Sequence, residues 1–282
     1  MYKADSKIAE EFINHQEILD TMSYAETHKS NRALIESLID KAARCKGLTH
    51  REAALLLECD QPDLIERIFR LAEEIKHKFY GNRIVMFAPL YLSNYCVNGC
   101  VYCPYHLKNK TIARKKLTQE EIRKEVIALQ DMGHKRLALE AGEDPLHNPI
   151  EYILESIDTI YSIKHKNGAI RRVNVNIAAT TVENYRRLKD AGIGTYILFQ
   201  ETYHKENYEA LHPTGPKSKY AYHTEAMDRA MEAGNDDVRY IVLGMIDGKH
   251  WTAITTKRGK RIRIISVRRS RKNEEAYYDS QE

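Results

Sequence analysis

Residues 84–103 read IVMFAPLYLSNYCVNGCVYC, an apolar run that leads directly into a cluster of three cysteines. The run predicts a buried strand, and Cys96, Cys100 and Cys103 then lie on the loop that follows it. Three of the chain's five cysteines fall in this loop. An odd cysteine count is a poor disulfide framework, and clustered thiols in a reducing compartment more often bind metal.

The chain downstream of the cysteines alternates between helix and strand patterns. Further strands are predicted over 136–142, 171–179 and 195–203, and helices over 117–133, 150–168, 181–192 and 223–234. Thr118 and Glu121 have the spacing of a capping box at the start of the first of these helices, and Gly133 ends it. Four consecutive strand–helix units predict an α/β fold with a parallel sheet, either doubly wound or part of a (β/α)8 barrel.

Polar residues follow the predicted strands at the ends where both folds bind their ligands. Beyond the cysteines, these are Gly142 and Glu143 on the second strand, Asn174 and Asn176 on the third, and Gln200, Glu201 and Tyr203 on the fourth. Because the carboxyl ends of parallel strands meet at one edge, the sequence predicts that these residues converge on a common site.

Two kinds of metal site fit the cysteine loop. Zinc prefers four closed ligands, and His106 could complete a Cys3His site. However, structural zinc usually joins two separated ligand pairs, whereas these four residues lie in one continuous loop. Three thiolates on a 4Fe–4S cluster leave one iron open to a substrate or cofactor. The sequence therefore favours the cluster and keeps the zinc-stabilised structural protein as an alternative.

The cysteine spacing, with the aromatic Tyr102 before the last cysteine, resembles the signature of radical S-adenosylmethionine (SAM) enzymes. AGE at 141–143 is similar to their glycine–glutamate motif. Four longer stretches are more specific: PLYLSNYCVNGCVYC, LALEAGEDP, RRVNVNIAATTVENYRRLKDAGIGTYILFQETYH and LHPTGPKS. They closely resemble the tyrosine-lyase maturase family of iron–iron hydrogenases, and less closely the thiamine-pathway tyrosine lyase. The resemblance covers residues 1–238.

This resemblance implies a fold, two cofactors and a reaction. It implies a (β/α)8-type barrel that binds a 4Fe–4S cluster and SAM, accepts one electron from a donor, and cleaves the Cα–Cβ bond of tyrosine. By resemblance, Cys96, Cys100 and Cys103 are the cluster ligands. The remaining cofactor-binding assignments are Tyr102 near the adenine, Gly142 and Glu143 at the methionine amine, and Asn176 and Gln200 at the ribose or substrate. No residue is assigned a catalytic role.

The sequence departs from the resembled family after Val238. The predicted organisation is an N-terminal helical region at 1–82, a half-barrel of about four βα units at 83–238, and a basic tail at 239–282. The tail pattern predicts an antiparallel three-stranded meander and a helix, with turns at Asp247–Gly248 and Arg258–Gly259. Because strands five to eight and a second cysteine set do not follow, we expect a truncated chain that is impaired in tyrosine cleavage.

The tail carries eleven Lys and Arg against five Asp and Glu, and it resembles the C-terminal half of the BrnT-type ribonuclease toxins. Its arginines Arg261, Arg263, Arg268, Arg269 and Arg271 form either a solvated face or an RNA-binding surface. An RNA-binding or toxin-like role of the tail is therefore a third function class, beside the radical SAM enzyme and the zinc protein.

The remaining sequence features concern location and the other two cysteines. No apolar run approaches the roughly 18 residues of a membrane span, and the N-terminus has no signal-peptide core, so we expect a cytoplasmic protein. The first 80 residues show helical periodicity, with Leu34, Ile35, Leu38 and Ile39 on one face and a capping box at Thr49 and Glu52. Cys45 and Cys59 lie within or beside these helices and are predicted to be inert packed thiols.

Overall fold

The computed structural model describes residues 2–3, 5–166, 168–234, 239–246, 249–258, 261–270 and 272–280. The chain divides into two compact units. The first comprises Met1–Ala179 and Ala191–Ala226, and the second comprises Thr180–Asp190 and Met227–Glu282. The domain boundaries predicted at 82/83 and 238/239 stay predictions. Among the described residues, no helix combines the length and the apolar character that crossing a bilayer requires.

The first unit begins with five helices. They are α1 (Ala9–Phe12), α2 (His15–His28), α3 (Arg32–Ala43), α4 (His50–Leu57) and α5 (Pro62–Tyr80). The predicted capping box forms at the start of α4, where Thr49 and Glu52 cap each other's backbone N–H groups. Ile35, Leu38 and Ile39 of α3 are buried in one apolar cluster with Leu55 and Cys59. The predicted helical region and its buried face are therefore confirmed.

The chain then alternates between strands and helices. These elements are β1 (Ala88–Ser93), α6 (Gln119–Asp131), β2 (Arg136–Ala141), α7 (Ile150–Ser162), β3 (Lys164–His165), β4 (Gly168–Ala169), β5 (Arg172–Asn176), α8 (Val182–Asp190), β6 (Tyr196–Ile197), α9 (Lys205–Leu211) and α10 (Tyr220–Thr224). The capping box at Thr118 and Glu121 forms, and Gly133 adopts a positive φ of 93° just after α6.

The main sheet holds four strands in the order β1-β2-β5-β6, and all neighbours are parallel. Leu137, Leu139, Val173 and Val175 of the two inner strands are fully buried. Such a succession of parallel strands joined by helices is the partial barrel that the sequence predicted. It brings the carboxyl ends of all four strands to one edge.

All four predicted strands are longer in the sequence pattern than in the structure, and the first and the fourth show the physical reason. Residues 84–87 lie outside β1 and are 53–78% exposed, because β1 pairs with β2 only from Ala88 onward. Of the strand predicted over 195–203, only Tyr196–Ile197 is paired, since β6 meets β5 at two positions. An apolar run thus marks where a strand can form, whereas the neighbouring strand decides where pairing begins and ends.

Two predicted helices also differ from the observed ones. Helix α7 ends at Ser162, six residues before the predicted end at 168, and the short pair β3 and β4 takes up residues of the predicted last turn. The helix predicted over 223–234 is divided, because α10 ends at Thr224 and α11 (Ala226–Gly234) begins two residues later. Neither change moves a residue predicted for the site.

The second unit contains the predicted tail. Its strands β7 (Arg239–Ile246), β8 (Lys249–Arg258) and β9 (Arg261–Arg269) form an antiparallel sheet, and α12 (Lys272–Asp279) follows. The meander and helix are therefore confirmed, while the predicted turn residues 247, 248 and 259 lie outside the described residues. Arg269 is exposed beside the Trp251 ring, and Arg271 lies outside the described residues. The RNA-binding surface stays a prediction.

Candidate metal and cofactor site

A cavity of about 260 Å³ lies where the carboxyl ends of the four parallel strands meet. Among its walls are all three clustered cysteines, Cys96, Cys100 and Cys103, together with Glu140 and Glu143. Each strand reaches the cavity through its last residue or the loop that follows, as expected of a parallel sheet. The predicted convergence of strand ends is therefore seen in the first unit, but Asn174, Gln200 and Tyr203, which were also predicted to converge there, do not line the cavity.

The cysteine loop is fixed by main-chain hydrogen bonds from two sides. The N–H of Val97 donates to the carbonyl of Glu143 at 2.8 Å, which joins the loop to the end of β2. On the other side, the N–H of Gly99 donates to the carbonyl of Thr214 at 2.9 Å, and that of Val101 donates to Leu211 at 3.0 Å. These three hydrogen bonds therefore fix the backbone that carries the thiols.

Burial in the cavity wall raises the pKa of the Cys96 and Cys100 thiols. At Cys100 the positive charge of Lys217 opposes this effect, and the two other thiols of the loop add to it. Metal coordination deprotonates a thiol outright, so a cation is the natural partner of this group of thiols.

The donor set fits a cluster better than a single ion. In the part of the chain that the structure describes, no three His, Cys, Asp or Glu side chains form a group that could hold a metal ion. In a 4Fe–4S cubane, each thiolate binds a different iron atom, so the three sulfurs surround the cluster without meeting at one point. His106, the fourth ligand of the zinc alternative, is not among the residues that line the cavity.

Gly142 and Glu143 lie directly against the cysteine loop. A Cβ atom at position 142 would be 2.9 Å from the Cβ of Cys96 and closer still to the carbonyl oxygen of Tyr95, so only glycine permits this approach. The carboxylate of Glu143 accepts a hydrogen bond from Asn98 Nδ2 at 2.6 Å. Burial raises the pKa of Glu143, while Asn98 and Lys217 oppose the increase. This carboxylate is suited to a cationic group of a ligand.

Tyr102 is tied to the far side of the cavity through its hydroxyl. The hydroxyl donates to Glu201 Oε1 at 2.7 Å and lies 3.0 Å from Nε2 of His212. His212 is buried, and its Nδ1 donates to the carbonyl of Tyr208 at 2.8 Å, so its Nε2 is an alternative acceptor for the single hydroxyl proton that Glu201 accepts. Burial, followed by the Glu201 carboxylate, raises the pKa of Tyr102, so its hydroxyl stays protonated.

Of the last two predicted cofactor-binding residues, Asn176 lines the cavity and Gln200 does not. Asn176 lines the cavity and donates through Nδ2 to Glu140 Oε2 at 2.6 Å. Gln200 does not line it, although its neighbours Phe199 and Glu201 do, and its amide donates to Thr224 Oγ1 at 3.0 Å. Seven of the eight predicted site residues thus share one cavity. Their roles remain predictions.

Sequence reasoning missed several polar residues of the site. Asn98, Glu140 and Lys217 line the cavity, and His212 supports it from behind. Asn98 lies inside the cysteine loop, and Lys217 lies in LHPTGPKS, a stretch that was noted only for its resemblance. The sequence signal that could have indicated Lys217 as a site residue was its position directly after Gly215–Pro216 in a specific motif.

A parallel sheet whose strand ends enclose clustered thiols and a partly buried carboxylate defines an α/β protein suited to hold a metal cluster and an organic cofactor. Residues 90–253 match the sequence profile of the Radical SAM superfamily. The chain belongs to this superfamily, whose members are enzymes that use a 4Fe–4S cluster and SAM and act on small molecules with an electron donor.

Individual relatives and solved structures agree with this family. The 2-iminoacetate synthase of Salmonella typhimurium is 30% identical over 200 residues, which are 71% of this chain and 51% of the relative. A crystal structure of HydG, a maturase of the [FeFe]-hydrogenase, superimposes with a TM-score of 0.75 and 58% identity over 80% of this chain and 49% of HydG. The X-ray structure of HydG from Carboxydothermus hydrogenoformans superimposes with a TM-score of 0.71 and 40% sequence identity. This match covers 79% of this chain and 51% of that HydG chain. The chain thus spans about half the length of the relatives it matches.

Proposed function

We propose that this chain binds a 4Fe–4S cluster through Cys96, Cys100 and Cys103 and SAM beside it, as a radical SAM enzyme of the tyrosine-lyase, hydrogenase-maturase type. One observation carries the proposal: the three thiols and the Glu143 carboxylate line a single cavity at the carboxyl edge of the sheet. The 58% identity to HydG supports the choice of tyrosine as substrate over the other substrates of the superfamily.

The chain's own residues perform binding and orientation. Glu143, oriented by Asn98, would accept hydrogen bonds from the ammonium group of SAM, and that cation would favour ionisation of this partly buried carboxylate. Gly142 leaves room for the cysteine loop beside this carboxylate. Asn176 and Tyr102 also line the cavity and would contact the nucleoside portion of SAM. The cluster, when bound, supplies the electron that splits SAM.

We further propose that the chain by itself cleaves SAM but cleaves tyrosine poorly. Control of a radical requires a substrate held in contact geometry in a site closed to water. Here Tyr91 and Phe199 of the cavity wall are 56% and 60% exposed, so the described residues leave the cavity open on these sides. The four described strands of the main sheet provide only part of an eight-stranded ring.

An anaerobic assay tests both parts of this proposal. The reconstituted protein is analysed for iron, sulfide and zinc, and then incubated with dithionite, SAM and tyrosine. We expect about four iron atoms per chain, formation of 5′-deoxyadenosine, and little p-cresol. Zinc that is retained in a one-to-one ratio and lost in the His106→Ala variant would contradict the cluster assignment. Multiple-turnover p-cresol formation would contradict the second part alone.

A further inference from the structure

Lys217 contacts the cysteine loop through both its backbone and the end of its side chain. Its backbone N–H donates to Oδ1 of Asn98 at 2.9 Å, so its main chain is joined to the middle of the loop. Its ammonium group donates to the hydroxyl of Tyr102 at 3.2 Å and to Oε1 of Glu201 at 2.9 Å. The side chain is 17% exposed. A long and normally mobile side chain is thus held in one position beside the thiols.

The turn that carries Lys217 is fitted to this loop. Gly215, at a φ of 93°, leaves no room for a Cβ atom beside the backbone and side chain of Asn98. Glu201, which accepts a hydrogen bond from the lysine, has a φ of 59°, a conformation that is uncommon for a residue other than glycine. Two unusual backbone positions therefore support the placement of one ammonium group.

The cavity carries many potential negative charges and one fixed positive charge. Its described walls include three carboxyl groups, Glu140, Glu143 and Glu201, in addition to the three thiols. Lys217 is the one Lys or Arg among these described lining residues. Burial lowers the pKa of the other basic group in the wall, His223, to about 4, so that ring is neutral near pH 7.

We propose that Lys217 sets the reduction potential of the cluster, an inference that rests on the function proposed above. Reduction adds one electron, taken from the external one-electron donor, and breaks or forms no bond. A nearby fixed cation stabilises the more negative state, because electrostatic energy at a partly buried site is weakly screened. The net charge around an iron–sulfur cluster is one of the levers that set its potential. Lys217 therefore favours the reduced cluster.

The test is a potentiometric titration of the anaerobically reconstituted full chain, followed by electron paramagnetic resonance of the reduced cluster. Lys217→Gln should shift the midpoint to more negative values, with roughly tenfold less reduced cluster at a given applied potential, which is about 59 mV for a one-electron couple. Lys217→Arg should keep the wild-type midpoint. Lys219→Gln, an exposed lysine two residues away that does not line the cavity, is the matched control and should leave the midpoint unchanged.

A second variant tests the sign of the effect. Glu201→Gln removes a negative charge beside the same ammonium group and should shift the midpoint to more positive values. Opposite shifts in the two variants support the electrostatic role, whereas shifts in the same direction would indicate a general disturbance of the loop and overturn it. A Lys217→Gln protein with full iron and an unchanged midpoint would also overturn it, even if SAM binding were weaker. Failure of the wild type to bind iron would instead reject the proposed function.

Discussion

Cys59 and Cys100 are almost equally buried, at 7% and 6% exposure, yet their surroundings differ completely. Cys59 packs in the helical region in one apolar cluster with Ile35 and Leu64. Cys100 lines a cavity that also contains Lys217 and Glu143. Burial alone therefore does not distinguish a packing thiol from a thiol that we propose as a ligand. The two thiols differ in the polar groups that surround the sulfur.

The two regions also differ in what holds them together. The helical region is stabilised by burial of apolar side chains, which is non-directional and tolerant of small shifts. The cysteine loop is held by hydrogen bonds from its own backbone and from Asn98, which fix position and direction. We therefore expect substitutions in the helices to change stability, and substitutions in the loop to change cluster binding.

The largest expected effect is on iron binding by the cysteine loop. Cys100→Ala should reduce the iron content after anaerobic reconstitution from about four atoms per chain to nearly none, because two thiolates cannot retain a cubane. Iron and sulfide analysis with the visible absorption spectrum measures this. Cys59→Ala is the matched control and should keep its iron. Equal iron loss in the two variants would remove the distinction between the two cysteines.

Truncation of a buried side chain in the apolar core of the helical region should lower stability without changing iron binding. Leu55 is fully buried in α4, and Leu55→Ala should lower the free energy of unfolding of the helical region by about 2–5 kcal/mol. Denaturant titration followed by circular dichroism measures this change. Leu57→Ala, on the same helix at 86% exposure, should have little effect. Both variants should bind iron as the wild type does at a temperature where they are folded.

A methyl group added at the contact between β2 and the cysteine loop should moderately reduce both the stability of the fold and its iron content. Gly142→Ala places a Cβ atom against the Tyr95 carbonyl and Cys96, and relief of this overlap should cost about 1–3 kcal/mol. We also expect a lower iron content, since the loop must move away from Glu143. Gly234→Ala, where nothing lies within 4 Å of the added atom, is the control. Normal iron binding by Gly142→Ala would show that the loop adapts more freely than its contacts indicate.

The smallest expected effect concerns Glu17, a partly exposed carboxylate in the helical region. Hydrogen bonds from Arg51 and then His50 lower the pKa of Glu17 to about 2 from its ordinary value of 4.5. A lowered pKa in the folded state contributes stability above pH 4.5, and this contribution is lost as the pH falls toward 2. Glu17→Gln should therefore be slightly less stable than the wild type at pH 7, and the difference should disappear on acidification.

Denaturation midpoints measured between pH 2 and pH 7 test this dependence. Arg51→Gln removes the same ion pair and should give a similar profile. A stability difference for Glu17→Gln that did not change with pH would assign the role of Glu17 to packing rather than to charge.

Local patterns in the sequence predicted much of this fold. The capping boxes at Thr49 and Thr118 form as expected, because both partners of each box lie within one helical turn. The apolar periodicity of α3 correctly marked its buried face. The same reasoning failed at residues 84–87, which are apolar but exposed, because their pairing depends on where β2 begins. Pattern alone carries no information about the length of a distant partner strand.

The three thiols, their spacing and their place after a strand follow from local sequence alone, since these are properties of consecutive residues. Only the tertiary structure brought Lys217 to Tyr102 across 115 positions and His212 to the same hydroxyl across 110. These contacts arise because the parallel strands collect distant loops at one edge, where each loop is positioned by sheet register and close packing. The charge around the thiols is therefore a product of the fold, and no local pattern encodes it.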